Sequence, residues 1–130
     1  MPCRAIRGAI TIDENTNDAI LSDTKTLLHE MLYSNHIQTE DIVSIFFSLT
    51  PDLNATFPAR AARQMGYKNI PLFCMQEIDV PEGLGKCLRI LVHINSDKPN
   101  TEIIHSYLKD AHILRPDYQQ NTTTPKTMDS

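Results

Sequence analysis

The stretch most informative about architecture is residues 86–95, which reads KCLRILVHIN and is the clearest alternating pattern in the 130-residue chain. Successive side chains of a strand point to opposite faces of a sheet. One face of this stretch therefore carries only aliphatic side chains: Leu88, Ile90, Val92 and Ile94. The other face carries a mixed set: Cys87, Arg89, Leu91 and His93. The pattern predicts a strand with Arg89 at its centre.

The segments before this strand have equally clear periodicities. Cys3–Thr11 reads as a strand, and residues 41–49 form a nearly continuous β-rich run, typical of a strand buried on both faces. Between them, Thr16 is a candidate N-cap for a helix that reaches about Tyr33. Apolar residues recur at helical spacing along it: Ile20, Leu27, Leu28, Met31 and Leu32.

The remaining elements are shorter. Four are predicted: a helix over residues 57–63, a strand over 70–74, a helix over 99–108 and a strand over 112–114. Pro58 suits the first turn of the first of these helices, and Gly66 suits the stop after it. The order β-α-β-α-β-β-α-β predicts an α+β domain with a mixed β-sheet and helices on one face. We expect one domain over residues 1–117 and a flexible C-terminal tail over 118–130, rich in Gln, Asn, Thr and Pro.

Composition narrows the function classes. The formal net charge of −4 argues against a nucleic-acid partner, which usually meets a basic surface. No apolar run approaches the ~18 residues that a membrane span needs, and the N-terminal residues lack the apolar region of a signal peptide. Three cysteines without CxxC spacing favour neither a disulfide scaffold nor a zinc site. We expect a cytoplasmic protein without a membrane partner.

Familiar catalytic motifs are missing from the sequence. No phosphate-binding GxxxxGK[ST] loop and no GxGxxG fingerprint occur, and the five histidines lack metal-ligand spacing. A nucleophilic pair of Cys74 with a histidine stays open, beside the alternative that Cys74 is a small buried hydrophobe.

The six arginines are unusual because all lie inside or beside apolar segments: Arg4, Arg7, Arg60, Arg63, Arg89 and Arg115. Arginine stems can simply pack along apolar surface, but a guanidinium also matches a carboxylate with two parallel hydrogen bonds. A charge at the centre of a strand needs an acceptor. For Arg89 that acceptor is either a protein acid such as Glu77 or an oxygen of a ligand, and spacing alone leaves both open.

Seven blocks of the sequence together resemble the AroH-type chorismate mutases, in that family's order and with nearly its spacing. They are RAIRGA at 4–9, TPDL at 50–53, FPARAAR at 57–63, CMQEIDV at 74–80, CLRI at 87–90, YL at 107–108 and LRPD at 114–117. The resemblance implies a homotrimer that forms a pseudo-α/β barrel, with active sites in clefts between subunits. It also implies conversion of chorismate to prephenate by a Claisen rearrangement, in phenylalanine and tyrosine biosynthesis, without a cofactor or metal.

The resemblance also implies residue roles. Arg89, Glu77 and Arg7 are the expected catalytic residues, with Arg89 against the breaking ether bond. Arg7 and Tyr107 would hold a substrate carboxylate. Further substrate contacts are implied for residues of two segments: Phe57, Arg60, Arg63, Phe73, Cys74, Met75 and Gln76.

The chain differs from the family pattern at two of these positions. Residue 60 is Arg where relatives often have Lys, and residue 73 is Phe where a small polar residue such as Thr is common. Two other classes remain as alternatives: a Rid-like imine deaminase, whose trimers have a similar architecture, and a non-enzymatic trimeric sensor of a small dicarboxylate.

Overall fold

The computed structural model describes residues 1–115, which form a five-stranded sheet and two α-helices. The elements are, in chain order, β1 (Cys3–Thr11), α1 (Asn17–Ser34), β2 (Ile42–Leu49), α2 (Ala59–Gln64), β3 (Leu72–Gln76), β4 (Cys87–Asn95) and β5 (Ser106–Leu108). Three 3-10 turns lie at Thr39–Asp41, Asn100–Glu102 and Lys109–Leu114. The first four strand predictions and both α-helix predictions before residue 96 are confirmed, with boundaries that differ by a few residues.

The sheet is mixed, as the element order predicted. Its strand order is β3-β2-β4-β1-β5. The central strand β4 pairs antiparallel with β1 and β2, whereas β3 and β5 pair parallel with β2 and β1. The alternating stretch that dominates the sequence is therefore the middle of the sheet.

One face of the sheet packs against the helices. The aliphatic side chains of β4 (Leu88, Ile90, Val92 and Ile94) are at most 1% exposed and join one cluster with the buried side of α1. Thr16 caps α1, since its hydroxyl accepts a hydrogen bond from the Ala19 N–H. Ala59 and Ala62 of α2 complete the cluster. The prediction of helices on one face is thus confirmed.

The opposite face has no α-helix over it among residues 1–115, and its end at Ala9 and Cys87 is covered by Tyr107 and Ala111. We call it the open face, defined by alternate residues of four strands: Ala5, Arg7, Ser44, Phe46, Ser48, Phe73, Met75, Arg89, Leu91 and His93. Phe73 is 58% exposed and Phe46 is only partly buried. Within one chain, β2 is therefore buried on a single face, which corrects the prediction that both of its faces are buried.

The last two predicted elements are wrong. Residues 99–108 do not form an α-helix: only Asn100–Glu102 make a 3-10 turn, Ile103 is extended, and the Asn35 side chain bonds the N–H and the C=O of Ile104 at 2.8 Å each. The chain then pairs with the edge of β1 as strand β5. Residues 112–114 are part of a 3-10 turn, which starts at Lys109 with a positive φ of 54°.

The domain boundary expected after residue 117 and the tail over 118–130 lie outside the described residues. Among the helices of residues 1–115, none combines the length and apolar character needed to cross a bilayer.

Candidate active site

Arg89 and Glu77 face each other on the open face. Arg89 is the third residue of β4, and Glu77 directly follows β3. The Arg89 Nε lies 3.7 Å from the Glu77 Oε1, and their side chains are 22% and 26% exposed. This Nε is buried and has no hydrogen-bond partner among the described residues. The protein acid therefore supplies a nearby charge but leaves a donor unsatisfied.

Ser48 completes this group from the neighbouring strand. It stands directly opposite Arg89 in the β2–β4 register, and its hydroxyl donates to the Glu77 Oε1 at 2.5 Å. Ser48 was not among the residues predicted from the sequence. Its signal was a polar residue at the end of a strongly apolar run, but nothing in the sequence tells which residue of another strand lies opposite.

Arg7 joins the same region from β1. It stands opposite Leu91 on the open face. Together with Arg89 and Glu77 it lines a cleft of about 300 Å³, which we call the arginine cleft; its other walls include Phe46, Ser48, Met75 and Leu91. Two guanidinium groups face one carboxylate there, so the cleft carries an excess of positive charge suited to an organic anion.

The backbone of Arg7 is fixed from the edge of the sheet. Its N–H donates to the His105 Nδ1 at 3.0 Å. Burial lowers the pKa of His105 below its ordinary value, and the positive charges of Arg115 and Arg7 lower it further. The imidazole is therefore neutral at pH 7 and can accept this hydrogen bond.

Tyr107 lies beyond Arg89 on the same side of the sheet. It stands opposite Ala9 in β1, and Ala9 in turn stands opposite Arg89 in β4. Its ring is 2% exposed and packs with Ala9, Cys87 and Ala111. The structure thus places Tyr107 near the arginine cleft but not among its lining residues.

The other predicted residues line a second cleft. Its volume is about 440 Å³, and it lies between β3 and the segment that leads into α2. We call it the loop cleft. It brings together five of the predicted substrate contacts: Phe57, Arg60, Cys74, Met75 and Gln76. Met75 lines both clefts, whereas Phe73 lines neither and instead meets Phe46 edge-on at 6.2 Å.

The Cys74 thiol is poorly suited to be a nucleophile. Burial raises its pKa above the ordinary value, and a hydrogen bond with the Ala59 backbone and the positive charge of Arg63 offset this only in part. A thiol, unlike a thiolate, attacks carbon weakly. This favours the alternative that Cys74 is a small apolar wall residue. Arg63 is exposed on α2, close enough for its charge to act on Cys74.

The described residues offer cations and hydrogen-bond donors for an anion. Within residues 1–115, no three His, Cys, Asp or Glu side chains converge on a point where a metal ion could bind. The two arginines that line the arginine cleft thus define a site of the class that suits organic acids, because a guanidinium group pairs well with a carboxylate.

Comparison with known proteins refines that class to a family. The family model for chorismate mutase type I matches residues 3–118. The chain belongs to this family, which confirms the resemblance seen in the sequence blocks and assigns it to the isomerases rather than to the imine deaminases.

Individual relatives agree over nearly their whole length. The chain is 43% identical over 125 residues to the chorismate mutase AroH of Bacillus subtilis (strain 168), covering 95% of this chain and 98% of the relative. It is 44% identical to the chorismate mutase AroH of Thermus thermophilus, covering 89% and 96%. A solved chorismate mutase of Clostridium thermocellum superposes with a TM-score of 0.83 at 49% identity, covering 85% of this chain and 98% of that one.

Proposed function

We propose that the protein converts chorismate to prephenate in phenylalanine and tyrosine biosynthesis, with the arginine cleft as the reacting part of the site. The observation that carries this proposal is the buried Arg89 Nε, which lacks a hydrogen-bond partner among residues 1–115 while it faces a cationic cleft. The cytoplasmic location expected from the sequence stays a prediction.

The chemistry matches what the cleft contains. A Claisen rearrangement within one molecule needs no nucleophile, acid or base. It needs the flexible substrate to be held in its compact reactive conformer, and it needs stabilisation of the charge that develops as the ether bond breaks. Arg89 supplies that stabilisation, because its free donor meets the ether oxygen as negative charge accumulates there.

Arg7 and Glu77 contact different parts of the substrate. Arg7 pairs with the enolpyruvyl carboxylate and, with Tyr107, keeps the side chain of the substrate folded over the ring. Glu77 contacts the ring hydroxyl, and its negative charge opposes the positive charge that develops on the ring. Its position 3.7 Å from Arg89 supports this division, since both charges can act on one small molecule.

The site is proposed to be shared between subunits of a homotrimer with pseudo-barrel architecture. Two features support this. Most of the expected site residues line one of two separate clefts of a single chain, and the open face, on which the arginine cleft lies, also carries exposed apolar side chains such as Phe73. The loop cleft of one subunit would complete the arginine cleft of its neighbour: Phe57 as an apolar wall, Arg60 and Arg63 attracting the dianion, and residues 74–76 near the ring.

The activity is tested directly with purified protein and chorismate. We expect the absorbance of chorismate to fall and prephenate to form, without added metal or nucleotide. Saturable binding without turnover would identify a sensor instead of an enzyme, and indifference to chorismate would overturn the proposal.

Sharing between subunits is tested by mixing two inactive variants. Arg89→Ala disables the arginine cleft, and Phe57→Asp places a negative charge in the loop cleft on a side chain that is 64% exposed. If the subunits share sites cyclically, mixed trimers from equal amounts regain about a quarter of the wild-type sites, because each interface draws one half from each neighbour. A mixture that stays inactive, from variants that each assemble normally, would place the whole site in one chain.

A further inference from the structure

Ser48 lies on β2, directly opposite Arg89 in the pairing of β2 with β4. The backbone of Glu77 is tied to the next residue of β2, since its N–H donates to the Leu49 C=O at 2.8 Å. Both the main chain and the carboxylate of Glu77 are thus attached to the end of β2.

Ser48 and Arg89 approach the Glu77 Oε1 at very different distances. The Ser48 hydroxyl donates to this oxygen at 2.5 Å, whereas the Arg89 Nε is 3.7 Å from it. An arginine beside a carboxylate ordinarily closes to hydrogen-bond distance, about 2.7–2.9 Å, often through two parallel bonds. Here the pair stays open, and the Arg89 Nε is left without a hydrogen bond in the described part of the chain.

We propose that Ser48 is a positioning residue that keeps the Glu77 carboxylate away from full pairing with Arg89. The inference rests on the proposed function. The hydroxyl holds Glu77 where its charge still acts on the substrate ring, and the Arg89 donor remains available for the ether oxygen. Without this hydroxyl the Glu77 carboxylate closes on Arg89. That ion pair must then be broken before the Arg89 donor can stabilise the transition state.

The test compares two substitutions of the same shape. Ser48→Thr keeps a hydroxyl and Ser48→Val removes it, and both β-branched side chains suit a strand. We expect Ser48→Thr to keep most of the wild-type kcat. Ser48→Val should lower kcat by about ten- to a hundredfold, the size of effect that a small misplacement of a catalytic group produces. KM should change by less than about threefold, because Arg7 still binds the carboxylate.

A matched control comes from the same strand. Ser44 also lies on the open face of β2, but it contacts the His93 Nδ1 at 3.3 Å and lines neither cleft. Ser44→Val should leave kcat for chorismate unchanged and should have a thermal unfolding midpoint similar to that of Ser48→Val. Equal losses of kcat in Ser44→Val and Ser48→Val would overturn the inference, because the effect would then come from the strand.

A double-mutant cycle tests whether Ser48 acts through Glu77. In a Glu77→Ala background, Ser48→Val should change the residual kcat by less than about twofold, since the group that Ser48 positions is gone. An undiminished loss in that background would overturn the inference. If wild-type protein does not turn over chorismate at all, the proposed function fails; if it does and Ser48→Val matches it, only the role of Ser48 fails.

Discussion

Arg89 is a single side chain on which turnover should depend. We expect Arg89→Lys to lower kcat by about a hundredfold or more, on the order of 3 kcal/mol or more, as for a lost oxyanion donor. Lysine keeps the charge but loses the planar fork and the Nε donor. Steady-state kinetics with chorismate measures the change.

Arg4→Lys provides the control for this substitution. Arg4 is on the same sheet, but its Nε donates to the Lys98 C=O at 2.7 Å, away from both clefts. Its replacement should leave kcat near the wild-type value. Near-normal turnover by Arg89→Lys would contradict the electrostatic role given to Arg89.

His105 should make stability depend on pH. Its pKa in the folded protein lies below the ordinary value of 6.5, mainly through burial. The unfolded chain therefore binds a proton more readily, and the contribution of neutral His105 is complete above pH 6.5 and is lost as pH falls through the folded pKa. We expect the thermal unfolding midpoint of wild type to drop between pH 7.5 and 5.5 by more than that of His105→Gln. Equal drops in the two proteins would show that other groups cause the loss of thermal stability at low pH.

At the level of residues, the sequence predicted Arg89 and Glu77 as site residues but not Ser48. Arg89 follows from strand alternation and Glu77 from the block around it, so both could be named before any coordinates. Ser48 could not, because alternation assigns a face while the register between β2 and β4 fixes the partner. The sequence also could not predict that the site residues lie in two clefts, since this depends on how the segment before α2 packs beside β3.

The contact between β1 and α1 is close enough to be tested with one methyl group. A Cβ at Gly8 would lie 2.4 Å from the Met31 Sδ and 3.1 Å from the Leu27 Cδ1. We expect Gly8→Ala to cost about 1–3 kcal/mol of stability through overpacking, and to lower activity because Arg7 is its neighbour. Thermal unfolding of the variant measures the first effect.

Met31→Ala removes the side chain that the new methyl group would meet. The double variant Gly8→Ala/Met31→Ala should lose less stability than the sum of the two single losses, since the methyl enters the space that Met31 vacates. Strict additivity would mean that the two positions do not meet.

Among the elements, those with strong local periodicity were predictable and those held by distant partners were not. The stripe of α1 and the alternation of β4 are local signals. Residues 99–108 have apolar spacing compatible with a helix, yet Ile104 takes its hydrogen bonds from Asn35, a residue far away in the sequence. Strand β5 then exists because the edge of β1 is free to pair with it.

The whole molecule should depend on its open face for assembly. Phe46 is central there, edge-on to His93 at 5.5 Å and to Phe73 at 6.2 Å. We expect Phe46→Asp to dissociate the proposed homotrimer and to abolish turnover with it, because an unpaired carboxylate cannot be buried cheaply. Sedimentation velocity and the chorismate assay, run on the same samples, measure the two effects.

The matched control is Tyr33→Asp on α1, where an aromatic ring is 69% exposed on the other side of the sheet. This variant should sediment and turn over chorismate like wild type. A Phe46→Asp protein that is monomeric and fully active would contradict the dependence of the site on assembly.

The separation of the site into two clefts has a consequence for mixed populations of subunits. In the proposed homotrimer, an Arg89→Ala chain keeps its loop cleft, so it would still complete the arginine cleft of its neighbour. When such chains are mixed with wild-type chains, each inactivates one active site and leaves the others intact. Activity should then fall in direct proportion to the defective fraction, and a cell making both forms would show a recessive loss. A chain with substitutions in both clefts would also inactivate the active site that it shares with its neighbour. Activity would then fall more steeply with the fraction of defective chains.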